Sequence, residues 1–213
     1  MDKSYKEIYT IKDKEYWLNF WFFNKYSIIA IFIALVMIIS GITRCTGLKR
    51  PDAGIIIITS NNIDPEKLSM VNSRYSELIN DVNGDKEVTL NIIEISFSKN
   101  APDEVEAANT IRTNNEVLNG DSSVIIGEYE LIKQFFNKDG IFAEPFESEF
   151  PVILNSSGTP SALDISESRL AMDIGYAADS PLCLAYIECD ESSPVYPMYE
   201  EGKKIAREIS GNK

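Results

Sequence analysis

Residues 26–43 read Tyr-Ser-Ile-Ile-Ala-Ile-Phe-Ile-Ala-Leu-Val-Met-Ile-Ile-Ser-Gly-Ile-Thr, without a single charge. At 1.5 Å rise per residue this run makes about 27 Å of helix, close to the hydrocarbon thickness of a bilayer. No other feature limits the fold as strongly. It predicts one transmembrane helix over 26–43, preceded by a basic-aromatic head, 1–25. A linker, 44–52, and a globular region, 53–210, follow it.

Charge predicts the direction of insertion. Lys3, Lys6, Lys12, Lys14 and Lys25 precede the run, and Arg44, Lys49 and Arg50 follow it. Lys and Arg set orientation and acidic residues matter little, so the N-terminus is expected in the cytoplasm. Beyond residue 50 the 29 Asp and Glu outnumber the 12 Lys and Arg by 17. An anionic inner leaflet repels such a body, which places the globular region outside the cell, anchored in the lipid bilayer. Trp17, Phe20, Trp21, Phe22, Phe23 and Tyr26 lie where aromatic rings favour the headgroup layer. They read as the start of one long helix, or as an interfacial helix that meets a membrane-protein partner. Gly41-Ile42-Thr43-Arg44 makes a poor signal cleavage site. Arg44 before Cys45 breaks the lipoprotein pattern and leaves Cys45 a juxtamembrane thiol, for which palmitoylation is the alternative.

The chain contains no histidine, which removes Ser-His-Asp and Cys-His catalysis, histidine zinc sites and histidine pH switching. The acidic tail lacks the basic footprint of a nucleic-acid binder. Three cysteines make no disulfide framework. Cys183 and Cys189, in an apolar run, read as small core fillers. No metal site, cofactor or catalytic set is expected.

The globular region opens with Ala53-Gly54-Ile55-Ile56-Ile57-Ile58-Thr59-Ser60, an unalternating β-branched run that reads as a strand covered on both faces. Asp64-Pro65-Glu66 starts a helix with a cap, a first-turn proline and an acid at the positive end of the dipole. Leu68, Val71, Tyr75, Leu78, Ile79 and Val82 give its apolar stripe, and Asn83-Gly84-Asp85 its end. A second strand is predicted over 87–97. A second helix follows from Pro102, with Val105, Ala108, Ile111, Val117 and Leu118 inward and Asn119-Gly120-Asp121 ending it. Residues 123–127 read as a third strand and 129–136 as a short helix. This β-α-β-α-β-α order implies an α/β domain of three layers around a mainly parallel sheet with right-handed crossovers. Later, Phe150–Leu154 reads as a strand that Pro151 confines to an edge. Ser166–Met172 reads as a helical turn and Pro181–Glu188 as a buried strand. A charged helix over 197–209 puts Tyr199, Ile205, Ala206 and Ile209 inward.

Few segments suggest chemistry. Asp81-Val82-Asn83-Gly84-Asp85 begins like a calcium loop, but Lys86 and Ile92 stand where the glycine and bidentate glutamate belong, so it reads as a turn, with a weak extracellular calcium site as the alternative. Asn155-Ser156-Ser157-Gly158-Thr159 has hydroxyls and amides but no phosphate-loop pattern. Glu144, Glu147 and Glu149 read as an acidic surface loop, with paired carboxylates for acid–base work as the alternative. Tyr176, Tyr186, Tyr196 and Tyr199 read as core or interface aromatics, with a ligand cleft as the alternative.

Several segments together resemble a family of single-span proteins of Gram-positive anaerobes. They are Glu15-Tyr16-Trp17 with Phe22-Phe23-Asn24-Lys25-Tyr26, residues 81–85, Leu118 to Gly127, and Phe136-Asn137-Lys138-Asp139-Gly140-Ile141-Phe142. Members of that family carry a tail similar to one lobe of a type 2 periplasmic solute-binding protein. The resemblance implies strand order near 2-1-3 and no enzyme activity. A full binding protein closes two lobes on its ligand, and a region of this length matches one ordinary domain.

Ligands of open α/β sheets sit beyond the carboxyl ends of the strands. Ser60 and Asn61 after the first strand, with Gly127, Glu128 and Tyr129 after the third, are therefore the candidate ligand-binding residues. The expected function is a membrane-anchored extracytoplasmic binding or interaction module without catalysis, accessory to a transporter or envelope complex. The alternatives are a carboxylate-based surface hydrolase and a structural or assembly factor with no small ligand.

Overall fold

The computed structural model describes residues 14–46, 50–98, 101–120, 122–136, 141–177, 179–187 and 189–211. The expectations for residues 1–13 of the head, 47–49 of the linker, Asp121, residues 137–140, Glu188 and the Cys45 side chain lie outside what is described. The chain divides into two compact units, Met1–Lys49 and Arg50–Lys213.

The first unit is built on one helix, α1 (Lys14–Thr46). It is longer than the apolar run at both ends. Phe20–Ile39 is long and apolar enough to cross a membrane, a test that a signal sequence near an N-terminus also passes. Its large apolar side chains are exposed on every side. Near its start Lys25 Nζ sits 5.4 Å from the Phe22 ring centroid and 5.2 Å from that of Tyr26. Those contacts let the ammonium rest among aromatic rings at modest gain.

In the second unit the elements run β1 (Ala53–Thr59), α2 (Pro65–Ser76), β2 (Leu90–Ser96), α3 (Asp103–Asn119), β3 (Val124–Glu128), α4 (Tyr129–Phe136), β4 (Val152–Leu154), β5 (Pro160–Asp164), α5 (Arg169–Ile174), β6 (Leu182–Tyr186) and α6 (Tyr196–Ile209). The six strands form one sheet in the order β2-β1-β3-β6-β5-β4. β1 pairs in parallel with β2 and β3, whereas β6, β5 and β4 join in successive antiparallel pairings. β5 thus runs with β1, β2 and β3, and four of six strands share one direction.

β1 explains the layering. Ile55 and Ile57 enter a core with α2, α5 and α6, while Ile56 and Ile58 enter a second core with α3 and α4. Because both faces are covered, the strand has no need of polar alternation. Each buried isoleucine contributes about 1.5–3 kcal/mol by the usual burial scale. β4 lies at the sheet's edge, as Pro151 requires. Gly175, at φ 70°, ends α5 in the left-handed conformation that glycine adopts without steric cost.

Two expectations about helices fail for tertiary reasons. α2 stops at Ser76 rather than at Asn83, Leu78 is left exposed and Val82 half-buried. Carboxylates distant in sequence take the amides that would have continued the helix. Glu201 accepts from Asn80 N at 3.0 Å, and Asp52 Oδ1 accepts from Val82 N at 2.8 Å and Asn83 N at 3.1 Å. Asp52 Oδ2 accepts from Thr89 N at 2.8 Å, which holds residue 89 short of the β2 ladder. On α3 most of the expected stripe faces outward: Val105, Ile111 and Leu118 are 45%, 63% and 45% exposed and Ala108 is also exposed, while Val117 is buried as expected. The inward face is Asn109, Thr113 and Val117. Asn109 Nδ2 donates to Ser96 O at 2.7 Å, so a polar contact with the end of β2 sets the helix rotation.

Candidate functional site

β1 and β3 are neighbours, yet the chain leaves β1 toward β2 on one side and returns to β3 on the other. The connections therefore diverge beyond the carboxyl ends of β1 and β3. A crevice is expected at that switch point. A cleft of about 540 Å³ lies there, within the range of small-molecule sites. Its walls come from the loops after all three parallel strands: Ser60 and Asn61 after β1, Phe97 and Ser98 after β2, and Glu128 at the end of β3.

The loops are pinned to each other. Ser60 donates to Glu128 Oε1 from both N and Oγ, each at 2.7 Å. Phe97 N donates to Thr59 O at 2.8 Å, and Ile63 N donates to Glu94 Oε1 at 2.6 Å. Behind Ser180 of the far wall, Tyr129 N donates to Pro181 O at 2.9 Å and the Tyr176 hydroxyl donates to Ser180 O. These bonds preform the mouth of the cleft.

Three of the five candidate residues line it. Ser60, Asn61 and Glu128 do, while Gly127 and Tyr129 do not. Gly127 is buried. A Cβ there would stand 2.8 Å from Ile132 Cγ2 and 3.2 Å from Ile58 Cβ, so glycine lets α4 approach the sheet. Tyr129 packs against the α3/α4 core and stacks on Phe136 at 6.1 Å. Strand alternation accounts for the split, because successive residues at the end of β3 point to opposite faces. Glu106 and Asn109 of α3, Glu130 and Leu131 of α4, and Asp179 complete the lining and were not foreseen. The apolar spacing of α3 points Val105, Ala108 and Ile111 inward, whereas the hydrogen bond from Asn109 to Ser96 marks the cleft-facing side.

The lining holds four carboxylates and, among the described residues, no Lys or Arg. Lys133 pairs with Glu130, whose hydrogen bond and charge raise the lysine pKa. Glu128 is only 6% exposed and belongs to no ion pair among the described residues. Burial, then the charge of Glu128, pushes the Tyr176 hydroxyl well above the ordinary tyrosine range. The cleft thus combines negative charge with apolar surface from Phe97, Ala101, Leu131 and Ala177.

The remaining candidates are occupied elsewhere. Asp81 accepts from Gly84 N and Lys86 N, each at 2.7 Å, which makes the 81–85 segment a turn. Asn155 Oδ1 accepts from Ser157 N and Thr159 N, each at 2.9 Å, and the loop is the β4–β5 hairpin turn. Glu144, Glu147 and Glu149 do not line the cleft. Tyr186, Tyr196 and Tyr199, with Glu200 and Lys203, line a larger hollow of about 680 Å³ near the opposite end of β3. None of its lining side chains is fully buried, and Lys203 pairs with Glu200 at 3.5 Å, so its charges stay solvated. Tyr176 packs instead against the α2/α5/α6 core. Cys183 is buried, and desolvation followed by the charge of Asp164 pushes its thiol far up.

No family model, curated protein or solved structure matches this chain.

Proposed function

We propose that this protein is a membrane-tethered binding module whose α/β domain captures a ligand in the cleft beyond β1, β2 and β3, without turning it over. α1 is the anchor, its N-terminus in the cytoplasm and the domain outside the cell membrane. The lysine excess before the apolar run supports that orientation. The observation that carries the binding role is the preformed cleft at the switch point, with Glu128 clamped by Ser60 in its wall.

The 2-1-3 order of the parallel strands supports a relation to one lobe of a type 2 periplasmic binding protein. With a single lobe, the ligand stays open on one side. A partner membrane protein, such as a transporter or envelope component, then receives or covers it. A carboxylate hydrolase is the weaker reading. It needs two carboxylates free to converge on a reacting atom, whereas Glu130 is paired with Lys133 and Glu128 is held by Ser60.

The test combines surface proteolysis with crosslinking of the full chain in intact cells. Protease added outside should digest the domain, and crosslinking should retain a membrane partner or small molecule with the wild type. A domain cut only after lysis, or one that retains neither kind of partner, overturns the proposal.

A further inference from the structure

The chemistry of the cleft narrows its ligand. Both hydrogen bonds to Glu128 converge on Oε1, and among the described residues none goes to Oε2. Oε2 stays open to the cleft, and no Lys or Arg lines the cleft among the described residues, so a ligand can supply the positive charge there. The neighbouring polar groups are turned the same way. Ser60 Oγ spends its proton on Glu128, which leaves its lone pairs free. Asn109 spends an N–H on Ser96 O, which leaves Oδ1 as an acceptor. Glu128, Ser60 and Asn109 all line the cleft. The wall therefore offers acceptors, and an ammonium group carries three donors and no acceptor.

Resting on the binding-module reading, we propose that the cleft takes a small organic ammonium ion, its charged end on Glu128 and its carbon body against Phe97, Ala101 and Leu131. A hard divalent cation fits less well. It demands six or more converging oxygens, and among the described residues no three acidic, cysteine or histidine side chains group to hold a metal. Phosphate and carboxylate ligands meet like charge from Glu106, Glu128 and Asp179.

The experiment uses the full chain in detergent micelles and three probes of one shape: phenethylammonium, 3-phenylpropionate and 2-phenylethanol. Binding is read by calorimetry, with empty micelles as the reference for partitioning. Phenethylammonium should bind, and the anion and the alcohol should not. Glu128→Gln should weaken the cation at least about tenfold, equivalent to about 1.4 kcal/mol. Ser60→Ala, which leaves the carboxylate in place, should weaken it less and keeps the test open if the Gln variant misfolds. Binding should also fall as salt rises. If the anion or the alcohol binds as well as the cation, the ammonium assignment is wrong while the binding module stands. If none of the three binds above the micelle background, the ammonium assignment fails, while the binding module stands or falls on the crosslinking test.

Discussion

Replacing Asp52 should unfasten the segment between α2 and β2. Asp52 is fully buried and its carboxylate takes three backbone N–H groups, from Val82, Asn83 and Thr89. Hydrogen bonds to a charged acceptor are worth about 1.5–3 kcal/mol each. The lower value suits all three here, because residues 82, 83 and 89 retain access to water once released. That gives a loss of about 4–5 kcal/mol for Asp52→Ala. Relief of the carboxylate's own burial returns about 1–2 kcal/mol, for a net cost near 3 kcal/mol. A single domain is typically stable by about 5–15 kcal/mol, so the variant should fold but unfold at clearly lower urea. Asp52→Asn keeps one oxygen for Val82 and Asn83 and opposes an amide to the Thr89 N–H, and should cost about half as much. Both tryptophans, Trp17 and Trp21, lie in α1, so far-UV dichroism rather than tryptophan fluorescence must follow the domain. Hydrogen exchange should quicken at residues 82, 83 and 89 before the rest of the sheet. An Asp52→Ala protein within 0.5 kcal/mol (about the scatter of surface substitutions), with exchange unchanged at those amides, would refute this account of why α2 ends early.

Two further outcomes follow from packing and burial. Gly127→Ala should destabilise the domain by about 1–3 kcal/mol, because the new methyl collides with Ile132 and Ile58 and neither is free to move; urea unfolding measures it, and an unchanged midpoint would show that α4 has room to shift. Burial raises the Tyr75 hydroxyl pKa to about 12, from 10.0 in the unfolded chain. The unfolded state therefore loses this proton first, so the contribution is intact below pH 10 and fades as pH climbs toward 12. The slope attributable to Tyr75 is at most about 1.4 kcal/mol per pH unit. Tyr75→Phe should flatten the alkaline fall by that amount in urea midpoints taken at rising pH, and identical profiles for the two proteins would contradict the assignment.

Much of the domain was legible along the chain because its signals are local. The unbroken isoleucines of β1 announce burial on both faces. Asp64-Pro65-Glu66 announces a helix start, and Asp64 does cap it, accepting from Glu66 N at 2.9 Å. Pro151 announces an edge. Ser60, Asn61 and Glu128 were legible because topology alone says where a cleft opens in such a sheet. What stayed hidden depends on partners far apart in sequence. Asp52 and Glu201 look like ordinary surface acids until the fold sets them against the amides of residues 80, 82, 83 and 89. The rotation of α3 follows from one amide meeting the end of β2, against the helix's own apolar pattern.

The sequence by itself determined that an apolar helix precedes an acidic α/β body, because hydrophobic length, β-branching and caps act within a few residues of themselves. Only the tertiary structure decided where α2 stops, which side of α3 turns inward and which acids gather at the cleft. Those choices belong to hydrogen bonds that close loops of 13 to 121 residues, and a linear pattern holds no record of which distant acceptor a backbone amide will find.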